Sequence, residues 1–522
     1  MQSKVFKNIK LYLVCLLIAT AFAAVYSTST TPLMKDNWGC DSAFFILVGQ
    51  GMTKGLLPYR DFFDMKGPFL FFLEFIGQKI CYGRTGAFII QCINLSVCLY
   101  IIGKTSDMFS YRLIWLHRLL AFLPVLAVAV ATFEGGNLTE EFCLPVILLS
   151  LCFCLKFFKE AELRHEYKHP VMYSLFYGAA VGYICFIRIT NAATVGAVLL
   201  TVFLVLFKKK EFKNAAFNFI MVILGFGATC LIPCIFFSAK NMLGTMLNQV
   251  FVFGVTYSSE TGFVQKFWNV FSTFRLFLVL LLLPLVISII YREKWYMKCL
   301  SFFSGLLLLV AVTMGNAYTH YFMLFIPHVV LGVYITYKNG GKGLKARKNI
   351  LCIICFAVMF SMQAVRIVKS TAKGAFTIYA YATENMESPA LKKITDKLRT
   401  IPAAADYLPE ANKNSYATDI AAHIPENEKC SVYGFGDVYW SRWYGVTGTM
   451  PANRYMDWQL HYIELMPGLD NEITLWIENE GSLWIVVPAD DEPISRKVYK
   501  AIESNYVIEY ANAEYTLYHR AG

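Results

Sequence analysis

Apolar runs recur along most of the chain, at roughly 9–26, 84–103, 113–132, 139–157, 171–189, 190–207, 215–237, 271–291, 299–315, 320–337 and 349–368. Each approaches the stretch of about 20 residues that crosses a bilayer as a helix, so the pattern predicts about eleven transmembrane helices. The first run follows Lys4, Lys7 and Lys10, the flank of a signal peptide. It is long, has no convincing small-residue cleavage site and precedes many more spans, and it reads as a retained first helix that enters from the cytoplasm.

The connecting segments test this topology. Predicted inner loops hold Lys104, Arg112 and Arg118; Lys156, Lys159, Arg164 and Lys168; Lys208, Lys209, Lys210 and Lys213; Arg292, Lys294 and Lys298; and Lys338, Lys342, Lys345, Arg347 and Lys348. Short predicted outer loops, such as 133–138 and 316–319, hold no Lys or Arg. This is the positive-inside asymmetry, and an odd number of spans places the C-terminal region outside. Residues 68–82 are too few to span and are expected to lie in the interface, as is part of the longer outer connection 238–269.

From Ser370 the pattern becomes that of a soluble domain. Strand-like runs at Ser431–Phe435, Leu483–Val487, Tyr506–Tyr510 and Tyr515–Tyr518 mix with helical periodicity at 388–399, 416–424 and 493–503. The expected architecture is therefore a polytopic α-helical membrane domain over residues 1–369, with an outer loop at 28–82, and a small extracytoplasmic α/β domain over 370–522.

Composition agrees. The 522 residues are 57% hydrophobic and 16% charged, with mean hydropathy +0.49, which excludes an ordinary soluble enzyme. The net charge of +11 divides unevenly, with 34 Lys and Arg against 15 Asp and Glu up to Lys369, and 13 against 21 from Ser370 onward. The basic excess is that of membrane topology, not of a nucleic-acid surface. Most of the fifteen cysteines lie in apolar runs. The Cys352/Cys355 pair has no second pair or His cluster beside it, so no metal is assigned there. Cys40, Cys81 and Cys430 are expected near the outer face, where one bridge among them stays open.

Candidate chemistry concentrates in residues 37–72, NWGCDSAFFILVGQGMTKGLLPYRDFFDMKGPFLFF, where Asp41, Arg60, Asp61, Asp64 and Lys66 are interleaved with phenylalanines. Ionisable groups at a membrane face are costly and mark sites; the plainer alternative is a solvated loop. Asp41 suits a general base at the mouth of a membrane cavity; the plainer alternative is the cap of the helix that follows. In Tyr59–Pro68, two carboxylates three residues apart and two cations are able to hold a phosphate and a sugar together; mutual salt bridging is the alternative. Paired acids with no His nearby leave a divalent ion open, and none is predicted.

The order of a first span, an outer loop with an early Asp, and then G-x-x-P-Y-R-D-F-F-D-x-K-G-P resembles the GT-C superfamily of integral-membrane glycosyltransferases. The similarity is to the branch of aminoarabinose transferases, protein O-mannosyltransferases and their bacterial relatives. GNLTEEFCLP at 136–145, IRITN at 187–191 and THYFMLFIP at 319–327 extend it over about 370 residues. The resemblance implies a multi-pass inner-membrane enzyme with a polyprenyl-phosphate-linked sugar donor, an inverting displacement on the outer face, and a glycan, lipid or protein acceptor. It makes Asp41 the base. Asp64 and Lys66 match the acidic-Lys-Pro-Pro element at the donor phosphate, with Met65 inserted and Gly67 in place of the first proline. Asp41-Ser42 replaces the Asp-Glu pair of the mannosyltransferases, which disfavours protein mannosylation.

The absence of a full Gly-x-Gly-x-x-Gly fingerprint suits a lipid-linked rather than a nucleotide-linked donor. Arg188, His320, Tyr321, Glu140 and Glu141 all fall at outer ends of predicted spans. Arg188, Lys66 and Arg60 are expected to hold phosphate, with His320 hydrogen-bonding nearby and Tyr59, Asp61 and Glu140 as further site candidates. Each also has a structural reading: Glu140 on a helix dipole, Arg188 snorkelling, His320 as a packing histidine. Tyr439–Tyr444 reads as domain core or interface belt rather than as an acceptor-stacking surface. The rival functions are a flippase of lipid-linked glycans, against which no inverted repeat is visible, and a non-catalytic assembly protein.

Overall fold

A computed structural model describes residues 2–34, 38–108, 114–259, 262–315, 318–339, 344–384, 411–434, 440–457, 459–489 and 495–521. The chain is a multi-pass helical membrane protein with a small C-terminal sheet domain. Among the described residues, eight helices are long and apolar enough to cross a membrane, or nine if Ile350–Ser361 and Ala364–Ala372, bent by 57°, form one span.

The difference from eleven lies in breaks rather than in missing helices. Val171–Lys208 qualifies as a single stretch of 38 residues, which as one helix would be about 57 Å long, nearly twice the hydrocarbon core. It is interrupted at Arg188, whose backbone is extended (φ −162°, ψ 112°), and by a 3₁₀ turn at Ile189–Ala192. Two helices, Val171–Arg188 and Ala193–Lys208, flank that break. The run expected at 113–132 is helical from Ile114, yet its apolar part, His117–Thr132, is shorter than a span.

The chain divides into two compact units. One comprises residues 1–27, 91–236 and 258–375; the other comprises 28–90, 237–257 and 376–522. The compositional change at 369/370 thus falls close to a unit boundary, and the charged outer segment belongs to the same unit as the C-terminal domain.

In the first unit the helix ending at Asn339 is apolar around most of its circumference and is its best buried span, whereas Phe212–Ser238 is largely exposed, as a lipid-facing helix would be. Polar groups tie helix ends together. Lys338 bridges Glu162 at 2.7 Å and Glu293 at 2.9 Å. His169, between two spans and 1% exposed, pairs through Nδ1 with Asn218 Oδ1 at 2.8 Å, and its backbone N–H donates to Asn214 Oδ1 at 2.8 Å. Burial pushes this imidazole from 6.5 down to about 4, against the pull of the Asn218 bond.

A histidine held neutral in the fold stabilises it fully above 6.5, and that contribution is lost as pH falls from 6.5 toward 4. Between pH 7 and pH 5 the loss is about 2 kcal/mol. Thermal unfolding of His169→Gln is therefore expected to depend less on pH in this window than that of the unmodified protein. Equal slopes would remove His169 as the cause.

The second unit contains a five-stranded sheet ordered β2-β1-β3-β5-β4, with β1 Lys429–Val432, β2 Met450–Pro451, β3 Trp484–Pro488, β4 Tyr506–Ala511 and β5 Tyr515–Arg520. Strands β2, β1 and β3 are parallel; β5 is antiparallel to β3 and to β4. The strands expected near 431, 483, 506 and 515 are all present, and the two-residue β2 is added. Helices Ala411–Ala421 and Arg496–Asn505 correspond to two of the expected helical patterns; that at 388–399 lies outside the described residues. Ile473 and Ile477 from helix Leu469–Asn479, and Val498 and Ile502 from Arg496–Asn505, cover Ile485 and Val487 of β3. The same core takes in Phe63 and Phe253, so the outer segment is built into the domain rather than lying loose beside it. All fifteen cysteines are free thiols. Cys430 is buried in β1, which pushes its thiol up to about 12 despite a contact from Thr449.

Candidate functional site

The outer segment is ordered by hydrogen bonds to its own backbone. Asp61 accepts from the Leu57 N–H at 2.7 Å and from the Arg60 guanidinium at 2.8 Å. This tight turn places Tyr59 in the left-handed region (φ 69°), where its carbonyl accepts from Gln249 Nε2 at 2.9 Å. Arg60 is half exposed and its guanidinium engages Asp61. The Tyr59 ring is fully buried, and its hydroxyl donates to the Lys66 carbonyl at 2.8 Å. That bond folds 59–66 back on itself.

Asp64 is the buried carboxylate of this turn, 6% exposed. It accepts from the Lys66 backbone N–H at 3.0 Å, and Lys66 Nζ lies 3.7 Å from the same oxygen. Lys66 also reaches over the Phe45 ring at 5.8 Å. Burial pushes the Asp64 carboxyl above its usual range; the Lys66 charge and N–H pull it back, and the charge of Asp41 adds to the rise. Gly67 is extended and Pro68 opens the helix Pro68–Ile80, where a missing N–H costs nothing.

Asp41 is the first residue of helix Asp41–Thr53, which is entered through Cys40. Its carboxylate forms no hydrogen bond or ion pair among the described residues, and Cys40 rather than Asp41 is the N-cap. A carboxylate in a first turn is favoured by the helix dipole. One without a partner is also available to take a proton.

The first unit holds a second group. Glu140, fully buried in the first turn of Thr139–Arg164, accepts from Arg188 Nη1 at 3.0 Å. The Arg188 guanidinium lies 3.9 Å from the centre of the Tyr321 ring. His320 pairs with Glu134 at 2.6 Å, and its backbone N–H donates to the same oxygen. Glu141 accepts from Gln91 Nε2 at 3.0 Å and from the Asn137 N–H at 2.9 Å. Thus Glu140, Arg188, Tyr321 and His320 gather in one unit, and Asp41, Asp64, Lys66, Tyr59, Arg60 and Asp61 in the other.

Two residues with structural roles at these groups are absent from the sequence reading. Glu134 begins a run of four left-handed residues, Glu134, Gly135, Gly136 and Asn137, with φ of 44°, 91°, 76° and 63°. The Gly-Gly pair was the available signal, since successive positive φ values are costly for other residues. A Cβ at Gly136 would also lie 2.5–2.6 Å from Phe133, Gln91 and Ser27. Gly136→Ala is expected to lower stability by about 1–3 kcal/mol, read as a fall in melting temperature; an unchanged value would mean that the turn relaxes freely. Arg84, the second, donates to the carbonyls of Ser29 at 2.9 Å, Thr28 at 3.2 Å and Thr31 at 3.3 Å, and to that of Met34. It thereby gathers the chain ahead of Asp41, and one Arg following a glycine carries no periodic signal of that role.

The Tyr439–Tyr444 cluster is domain core where it is described. Trp440, Trp443 and Tyr444 are buried, while Tyr439 lies outside the described residues.

No protein-family profile and no curated protein matches the chain. Solved structures do. A crystal structure of ArnT from Cupriavidus metallidurans bound to undecaprenyl phosphate superposes with a TM-score of 0.52 at 12% identity, covering 100% of this chain and 99% of that one. The chain has the fold of ArnT. The apo state of ArnT agrees, with a TM-score of 0.50 at 13% identity over 99% and 98% of the two chains. The resemblance drawn from the loop motif is borne out at the level of the fold. That agreement runs the full length of both chains and includes the C-terminal domain.

Proposed function

We propose that the chain is an inner-membrane glycosyltransferase that moves a sugar from a polyprenyl phosphate to a glycan, lipid or protein of the cell envelope on the outer face. The observation that carries this reading is the full-length likeness to ArnT, whose structure holds undecaprenyl phosphate. Supporting it is Asp41, a carboxylate without a hydrogen-bond or ion-pair partner among the described residues, in the same unit as a buried Asp64–Lys66 pair.

In this mechanism Asp41 removes the proton from the acceptor's attacking hydroxyl or amine as that atom approaches the anomeric carbon from the face opposite the phosphate. The sugar–phosphate bond breaks with inversion, and the electron pair leaves on the polyprenyl phosphate. Lys66 opposes the charge that develops on the departing phosphate. Asp64 fixes Lys66 through its backbone N–H, and Tyr59 braces the turn from the other side. The N-terminus is cytoplasmic and the C-terminal domain extracytoplasmic, as the loop charges require.

The test is transfer in proteoliposomes supplied with a panel of labelled undecaprenyl-phosphate sugars and, separately, with nucleotide sugars. Transfer from a lipid-linked donor alone is expected. Movement of labelled lipid across the bilayer without transfer would instead favour a flippase.

A further inference from the structure

We infer that the C-terminal domain sets the position of Asp41, with Arg442 as the positioning residue. This deepens the glycosyltransferase reading and rests on Asp41 as its base. The Asp41 carboxylate accepts no hydrogen bond among the described residues that would orient it. Its place is then fixed by the backbone on which it stands. For Asp41 that backbone is Trp38-Gly39-Cys40, and the C-terminal domain grips all three residues.

Arg442 Nε donates to the Gly39 carbonyl at 2.5 Å, and its Nη2 lies 2.6 Å from Cys40 Sγ. The guanidinium therefore holds two consecutive residues immediately before the helix starts, one of them Gly39 at φ 68°. On the same helix, Ser441–Thr447, Gly445 faces the Trp38 indole so closely that a Cβ there would lie 2.6 Å from its ring. The gripping helix is itself rigid. The Ser441 N–H donates to Asp457 Oδ1 at 2.7 Å, and the Tyr444 hydroxyl accepts from the Val432 N–H at 3.0 Å and donates to the Cys430 carbonyl at 3.2 Å. Position passes from strand β1 through Tyr444 and Arg442 to the entry of the Asp41 helix.

A second brace acts next to Asp64. The Phe63 N–H donates to the Arg454 carbonyl at 3.0 Å, and the Phe63 ring packs against Tyr455 and Tyr462 at 5.1 and 5.0 Å. Both acidic elements of the outer segment are thus fixed by contacts to residues about 400 positions later in the chain. The domain is a scaffold for the catalytic loop, not an appended acceptor module.

The experiment compares full-length Arg442→Ala, Arg442→Lys and Gly445→Ala with the unmodified protein. Two readouts are taken: the rate at which a maleimide modifies Cys40, located by mass spectrometry, and transfer from the labelled undecaprenyl-phosphate sugars. Arg442→Ala is expected to speed Cys40 modification severalfold. It should lower kcat by about 10- to 100-fold, the usual consequence of a misplacement near 1 Å, with KM for the donor unchanged within about twofold. Arg442→Lys, which keeps the charge but not the forked contact, should fall between. Gly445→Ala, which displaces Trp38 and leaves Arg442 intact, should repeat the kcat loss.

Unchanged Cys40 modification and unchanged kcat in both Arg442→Ala and Gly445→Ala would overturn the proposal. So would a raised KM at constant kcat, which would make Arg442 a ligand of the substrate. If the unmodified protein transfers no sugar from any donor, the glycosyltransferase reading fails separately. Cys40 modification then decides whether the domain grips the loop: faster in Arg442→Ala upholds the grip, and unchanged rejects it.

Discussion

Asp41→Asn is expected to lower sugar transfer by about a hundredfold or more, the scale of a missing general base, while the protein folds normally. The substitution is nearly isosteric. Asp41 has no hydrogen-bond or ion-pair partner among the described residues whose loss would disturb packing. The stabilising interaction at stake is that of the carboxylate with the helix dipole, worth about 0.3–1 kcal/mol. A large fall in rate at unchanged expression and melting temperature is therefore a statement about chemistry. The measurement is single-turnover transfer from whichever lipid-linked donor the unmodified protein accepts. Transfer that survives the substitution would keep the enzyme and remove its base.

Asp41 and Asp64 also show what the sequence can and cannot convey. Both were legible as candidates because charges are rare in an apolar chain, and the helices were legible because apolar runs of span length have few alternatives. What separated the two carboxylates was not legible. Asp64 is buried, and its backbone N–H donates to Gln249, 185 residues away; Asp41 stands at a helix entry held by Arg442. Such long-range contacts leave no local period. Arg60 shows the same limit: the tight turn at Leu57–Asp61, which pairs its guanidinium with the next residue, leaves no periodic signal in the sequence. The run counted as two spans at 171–207 was correctly divided in sequence, because Arg188 is the one charge in it, and the helix breaks at that residue.

Arg188→Leu carries the second large effect, and it separates two roles that a single substitution confuses. Glu140 is fully buried and is paired with Arg188. Removing the cation strands a buried carboxylate, which costs about 3–5 kcal/mol. The single variant should therefore lose both stability and activity, which by itself identifies neither role. Glu140→Gln together with Arg188→Leu removes the stranded charge, and replacing both partners of a buried pair is close to neutral, so the melting temperature is expected to recover. If Arg188 opposes charge on the departing phosphate, transfer by the double variant stays depressed by about 100-fold, the effect of losing one preorganised charge contact. The Tyr321 ring, now without the guanidinium it faces, offers no replacement charge. Recovery of transfer along with stability would instead confine Arg188 to neutralising Glu140 and leave Lys66 as the phosphate contact.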